Sequence, residues 1–301
     1  MILAFDTSNY TTSIAVYDMD KGIVCDERMI LKVAKGNRGL RQSDALFQHI
    51  ENLERMSIKL DCYDIDAVCV SSRPRPLEGS YMPCFRAGIT SGRLIASLIG
   101  VPCFEVSHQE GHIAAAKYET AFEDEETLIC CHLSGGTCEI LKYDNGDISI
   151  EGGSLDISFG QLIDRTGVFY GIDFPAGKHL DRLALAGNDA RIFRKVNVKD
   201  GYFNISGIEN QVMSLSLSPE DAASAVFRTI TDVLSESVAQ VCDRTGIDKV
   251  LFAGGVSSSR FIRERLSLEG VHYQFGKPEL ACDNAVGTAI LGGKLLWQQN
   301  L

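Results

Sequence analysis

At 301 residues the chain is long enough for one large domain or two lobes with substantial cores. Its 45% hydrophobic and 23% charged residues are those of an ordinary globular protein, and no apolar run is long enough to read as a membrane span. The net charge of −11 excludes a broad basic surface for gripping nucleic acid, leaving only a local patch or a partner subunit for RNA contact. "MILAFDTS" reads as a first buried strand rather than a signal segment, so the expected location is the cytoplasm, with no membrane partner. Ten cysteines form no CxxC pair, which argues against a zinc ribbon or a thioredoxin-like site and for reduced, buried thiols.

The first segment, "ILAFDTSNYTTSIAVYD" followed by "KGIVCDERMI", reads as a β-hairpin continuing into a third strand. A helix is expected over Ser43–Ser57, where Leu46, Ile50 and Leu53 share a face. Strands are expected at 66–72 and 101–107, with a helix at 85–100 between them. The stretch "SSRPRPLEGSYMP" (71–83) is expected to be a structured loop, either an anion or substrate loop through Arg73 and Arg75 or an ordinary surface loop.

Residues 127–154 read as strand, glycine turn, strand, turn and strand, with "NG" at 145–146 as a hairpin signal. Helices are expected near 156–170, 176–187 and 219–245, then a buried strand at 249–256 and a helix over Ser257–Leu266. A strand at 271–276 and a helix near Asn284–Gln298 end the chain. Each half thus begins with antiparallel strands and continues into helices and buried strands, which points to an internal duplication. Two such lobes facing each other would make a nucleotide cleft.

Several motifs could carry chemistry. In "SHQEGHIAAA" His108 and His112 stand one helical turn apart, a spacing that suits two ligands of one metal ion and also arises by coincidence. The zincin motif needs its glutamate directly after the first histidine; Gln109 is there instead, so a zincin-type protease is disfavoured. "LSGGTCEI" places Gly135 and Gly136 after Ser134 in a turn that either presents amides to an anion or is a plain glycine hairpin. "LFAGGVSSSRFIRERL" takes a buried strand through Gly254 and Gly255 into a helix start with Ser257 to Ser259, suited to a phosphate or to simple capping. Asp164 reads as solvated or paired with Arg165 or Lys178, and Gly177 follows the "FPAG" turn. Asp283 is a plausible helix N-cap, with Gly287, Gly292 and Gly293 after it pointing to tight helix packing.

These segments, in order along nearly the whole chain, resemble the TsaD-like family of tRNA threonylcarbamoyladenosine synthases, once called glycoproteases. The resemblance rests on "FDTSNYTTSIAVYD", "HQEGH", "LSGG", "GQLIDRTGVFYGIDFPAG", "FNISG", "LFAGGVSSSRFIRERL" and "CDNA". It implies an α/β, two-lobed, duplicated actin, hexokinase and chaperone-ATPase (ASKHA) fold. The lobes would comprise 1–104 plus 285–301 and 105–284, the latter carrying most of the metal and nucleotide motifs. It implies one divalent metal ion (iron, zinc or magnesium) on His108, His112 and, from the other side of the cleft, Asp283. It also implies ATP or an acyl-adenylate on Ser134, Gly135, Gly136, Asp164, Gly177, Gly254, Gly255 and Ser259. The implied reaction moves a threonylcarbamoyl group from its adenylate to a tRNA adenosine or related acceptor, with a TsaB-like partner or a second copy of the chain.

The sequence departs from the family where Asn9, Tyr10, Thr11 and Thr12 replace Cys-Asp-Glu-Thr, so the acidic pair expected to assist transfer is missing at Tyr10 and Thr11. Thr137 and Cys138 stand for His-Thr, and Glu209 lies near where a lysine is usual. Two further readings follow: a non-catalytic partner subunit, or a small-molecule kinase with Asp6 as its base.

Overall fold

The computed structural model describes residues 1–8, 10–33, 40–299 and 301. It divides into two compact units, Met1–Tyr118 with Cys282–Leu301, and Glu119–Ala281.

The first unit is built on β1 (Ile2–Asp6), β2 (Thr11–Asp18), β3 (Gly22–Ile30), β4 (Ala67–Arg73) and β5 (Cys103–Ser107), in the order β3-β2-β1-β4-β5. The first three pair antiparallel, while β4 lies parallel to both β1 and β5. Helices α1 (Gln42–Ser57), α2 (Arg86–Ile99), α3 (His108–Lys117) and α9 (Val286–Gln299) complete it. Apolar residues fill β1 and β4 without alternation because both faces are covered. Val68 and Val70 meet α2 at Gly92, while Cys69 and Ile2 meet α9 at Gly292, as the two-residue repeat of a strand requires.

The second unit contains β6 (Thr127–Leu133), β7 (Cys138–Asp144), β8 (Asp147–Ser154), β9 (Val198–Lys199), β10 (Tyr202–Phe203), β11 (Lys249–Ala253) and β12 (His272–Phe275), ordered β12-β11-β6-β7-β8-β10-β9. Its helices are α4 (Phe159–Phe169), α5 (Gly177–Ala186), α6 (Ser206–Ser214), α7 (Pro219–Thr245) and α8 (Arg260–Arg265). The β7–β8 turn has Asn145 at φ 51° and Gly146 at φ 95°, the positive angles that an "NG" hairpin supplies. Ser218 caps α7, Pro219 opens it and Gly246, at φ 69°, ends it, so the boundaries of this long helix are written locally.

The segment β8-β7-β6-β11-β12 repeats β3-β2-β1-β4-β5, with the same antiparallel and then parallel pairings. This is the duplication expected of the ASKHA fold. The expected lobe boundaries shift, however. Residues 105–118 and 282–284 group with the first unit because β5 pairs with β4 and α3 packs on α9. The metal-ligand candidates therefore belong to the first unit and only the nucleotide motifs to the second. Helix α6 and the short β9–β10 pair were not expected; residues 198–199 and 202–203 are too short to show a period. All ten cysteines are unbridged, with Cys69, Cys84, Cys130, Cys131, Cys138 and Cys242 buried. No helix among the described residues is long and apolar enough to cross a membrane.

Candidate metal centre and nucleotide pocket

In the first unit, β5 runs directly into α3. Ser107 caps the helix by accepting from the Glu110 N–H at 3.2 Å, and the Glu110 carboxylate accepts from the Ser107 N–H at 2.6 Å. This reciprocal capping box accounts for Glu110: it fixes where the helix begins and leaves His108 at its first position. One turn on, His112 stands beside it, the two ring centres 4.3 Å apart. The expected loop at 71–83 joins here, where the Pro74 carbonyl accepts from the Gln109 N–H at 3.1 Å.

Asp283 completes the group. Its Oδ1 lies 3.1 Å from His112 Nε2 and 3.6 Å from His108 Nε2. The expected capping role falls instead to Asn284, whose side chain accepts from the Val286 N–H at 3.0 Å. Asp283 reaches the histidines from within the same compact unit, not from across a cleft. Its reach depends on the close crossing of α3 and α9: a β-carbon at Gly287 would collide with the Gly111 carbonyl, and one at Gly111 would stand 3.0 Å from Thr288 Oγ1.

The electrostatics favour a cation. Burial opposes charge on His108, yet Asp6 and Asp283 beside it hold its pKa up at about 10. Burial also pushes the Asp283 carboxyl up, but His108 and His112 outweigh that and hold it well below the usual carboxylate range. Two imidazoles and one carboxylate, with ligand atoms all within 4.8 Å of one another, could hold a metal ion and leave coordination positions open. The sequence offers Asp6 only as a kinase base. It is 1% exposed and faces His108.

In the second unit, Ser134 and Thr137 close the β6–β7 turn. The Ser134 N–H donates to the Thr137 carbonyl at 2.8 Å, and the Thr137 N–H to Ser134 Oγ at 3.0 Å. Gly135 and Gly136 are not at left-handed angles, and a side chain at either would project into open space. Glycine here keeps the approach to the turn clear. Ser158, the N-cap of α4, donates to the Gly135 carbonyl at 2.6 Å and draws the helix start to the turn.

Asp164 lies further along α4. It pairs with neither Arg165 nor Lys178 as expected, since its Oδ1 accepts from the Ala176 N–H at 2.8 Å. Burial raises its pKa, more than the Ala176 and Gly177 amides lower it. Arg165 pairs with Glu209 at 2.7 Å. Gly135, Asp164, Val168, Phe169, Phe174 and Met213 help line a pocket of about 570 Å³, within the range of small-ligand sites. The aromatic and methionine lining was not expected, because these residues come from separate helices and a turn.

Gly254, Gly255 and Ser259 are not among the residues lining that pocket. Gly254, at φ 89°, packs so closely on β6 that a β-carbon would strike the Leu133 carbonyl. The helix expected over Ser257–Leu266 is shorter, Arg260–Arg265, after a 3-10 turn at Gly255–Ser258. Its first amides are taken: Asp181 of α5 accepts from the Arg260 and Phe261 N–H groups at 3.0 and 3.2 Å. Ser259 donates to Asp181 and accepts from the Ile262 N–H at 3.2 Å, so its hydroxyl serves as a cap. Of the two readings of this helix start, a phosphate site or simple capping, the geometry supports the second: Ser259 and Asp181 hold its first amides. Of the departures from the family pattern, Asn9 lies outside the described residues, Tyr10 is 38% exposed and Thr11 opens β2.

Replacing Asp164 with asparagine keeps an acceptor for the Ala176 amide and removes the charge. If AMP takes this pocket with a ribose hydroxyl on Asp164, its affinity is expected to fall roughly tenfold or more, since a hydrogen bond to a charged group contributes about 1.5–3 kcal/mol. Titration calorimetry on both proteins checks this; equal affinities would remove Asp164 from the nucleotide site.

The family model described as TsaD, tRNA N6-adenosine threonylcarbamoyltransferase, matches residues 45–290. A tRNA N6-adenosine threonylcarbamoyltransferase of Staphylococcus epidermidis is 28% identical, over 100% of this chain and 93% of that protein. Among solved structures, HypF of T. kodakarensis is similar with a TM-score of 0.63 at 13% identity; the match covers 99% of this chain and 48% of that one. The activator of 2-hydroxyisocaproyl-CoA dehydratase from Clostridium difficile, solved with ADPNP, is similar with a TM-score of 0.56 at 15% identity, over 99% and 95% of the two chains. At such identities the structural likenesses establish the ASKHA fold alone.

Proposed function

Because the chain belongs to the TsaD family of tRNA N6-adenosine threonylcarbamoyltransferases, we propose that it binds an adenine nucleotide and one divalent metal ion and transfers a threonylcarbamoyl or carbamoyl group. The donor would be the acyl-adenylate and the acceptor the exocyclic amine of a tRNA adenosine, or a related amine. In the transfer, the amine nitrogen bonds to the acyl carbon, the bond from that carbon to the AMP phosphate oxygen breaks, and AMP leaves while the amine gives up a proton. The observation that carries this reading is the cluster of His108, His112 and Asp283. This nitrogen-rich donor set favours zinc or ferrous iron over magnesium, which prefers oxygen ligands. A bound ion would supply Lewis-acid polarisation of the acyl group. Asp164 and the 134–137 turn would hold the adenosine and its phosphate, with Phe169 and Phe174 offering apolar surface to the base.

A kinase reading loses its base: the two Asp6 oxygens already accept from the Ser8 N–H and face His108, at 2.8 Å each. The non-catalytic partner reading keeps one observation in its favour, since Tyr10 and Thr11 offer no carboxylate to take the amine's proton. At a charge of −11 the chain is poorly matched to a polyanion, so tRNA engagement would depend on a TsaB-like partner or a second copy.

The test is a purified-protein assay with threonylcarbamoyl-adenylate and tRNA, alongside metal analysis and thermal shift with AMP. Bound metal, nucleotide stabilisation and modified tRNA are expected. Metal and nucleotide binding without transfer, even with a TsaB-like partner added, would favour the non-catalytic role. Absence of both bindings would overturn the reading.

A further inference from the structure

We propose that Asp6 is the positioning residue for His108, holding the imidazole by its Nδ1–H so that Nε2 faces the ion which His108, His112 and Asp283 would share. This rests on the metal reading above and adds to it a residue outside the ligand set.

Asp6 ends β1 and is 1% exposed. A carboxylate so buried is costly unless its oxygens are paired. One oxygen accepts from the Ser8 N–H at 2.8 Å, which fixes the plane of the group. The other lies 2.8 Å from His108 Nδ1, with Ser8 Oγ also 2.8 Å from that nitrogen. An ionised carboxylate only accepts, so the hydrogen between the two belongs to Nδ1. In the neutral ring Nε2 is then the atom with a free lone pair, and it is the Nε2 atoms of both histidines that approach Asp283.

The support beneath Asp6 is itself fixed. The Thr7 hydroxyl donates to the Cys84 carbonyl at 3.0 Å and accepts from the Gly88 N–H at 3.1 Å. Thr7 thus ties this segment to the start of α2, while the Asp6 and Ser8 side chains face His108 of α3. A charged acceptor on the far nitrogen both orients a ligating imidazole and makes it a stronger donor.

The experiment measures zinc affinity by chelator competition on the full chain, for the unmodified protein, Asp6→Asn and Asp6→Glu, with circular dichroism as the folding control. Asp6→Asn retains an acceptor without the charge and is expected to bind zinc about 10- to 100-fold more weakly. Asp6→Glu, which restores the charge on a longer arm, is expected to recover part of that loss. Unchanged affinity in folded Asp6→Asn would overturn the positioning role while leaving the metal site standing; no zinc uptake by the unmodified protein would overturn the metal reading itself. Nitrogen-15 NMR of the zinc-loaded, unmodified protein tests the same point without a variant. Ligation through His108 Nε2 with a proton retained on Nδ1 supports the proposal, and ligation through Nδ1 overturns it.

Discussion

Changing Asp283 to alanine is expected to weaken zinc or ferrous iron binding by more than about a hundredfold, beyond the 10- to 100-fold typical of residues that only support a ligand. The site has three protein donors, and Asp283 is the one carboxylate among them. Without it, His108 and His112 remain adjacent on α3 but hold a divalent ion by two neutral nitrogens alone. The local cap at the entry to α9 does not depend on Asp283, because Asn284 keeps it. Metal content after gel filtration, with chelator-competition affinities for both proteins, reads the outcome. An Asp283→Ala protein that keeps a full equivalent of tightly bound metal would rule out the three-residue centre.

The second large effect comes from a residue without a side chain. Gly287→Ala is expected to destabilise the first unit by about 1–3 kcal/mol or more, the usual cost of forcing extra atoms into a packed interior. The added methyl would meet the Gly111 carbonyl and, 2.7 Å away, the Ala115 nitrogen, both backbone atoms that no rotamer change can move. Helices α3 and α9 would have to part, and Asp283 would move away from the histidines with them. Metal affinity should therefore fall together with thermal stability. Gly293→Ala is the control on the same helix. Its nearest neighbour would be Met19 Cγ at an ordinary 3.7 Å, so the change should be neutral or stabilising by about 0.5–1 kcal/mol through helix propensity. Thermal melts of the two variants separate packing from propensity. Equal melting temperatures for Gly287→Ala and Gly293→Ala would show that the crossing is not close.

Most regular elements were legible because their signals are local. The strand order of β1 and β2, the existence of the helix at Gln42–Ser57, the Ser-Pro start and glycine stop of α7 and the "NG" turn each lie within a few residues. The buried face of that helix differs from the expected one: Ala45, His49, Asn52, Leu53 and Met56 are buried, while Ile50 is 53% exposed. The histidine pair was legible for the same reason, since four residues make one helical turn. Chemistry shared with distant segments was less so. Asp283 reads from its neighbours as a cap, and as a ligand only through the family resemblance. Ser259 read as a nucleotide contact although Asp181, 78 residues earlier, occupies it. Glu110 was seen to be out of place for a protease, while its part in the capping box awaited the geometry.

The sequence by itself determined the duplicated order of strands and helices, the family and the His108–His112 pair, because hydrophobic period, turn residues and helical spacing act over short stretches of chain. The tertiary structure decided how Asp283, which the resemblance offers as a ligand, meets that pair, and that Asp6 stands behind it. Asp283 reaches His112 across 171 residues and Asp6 reaches His108 across 102. The approach of Asp283 depends on how closely α3 and α9 cross at Gly111 and Gly287, and that of Asp6 on the placing of the end of β1 beside the start of α3, neither of which a local pattern encodes.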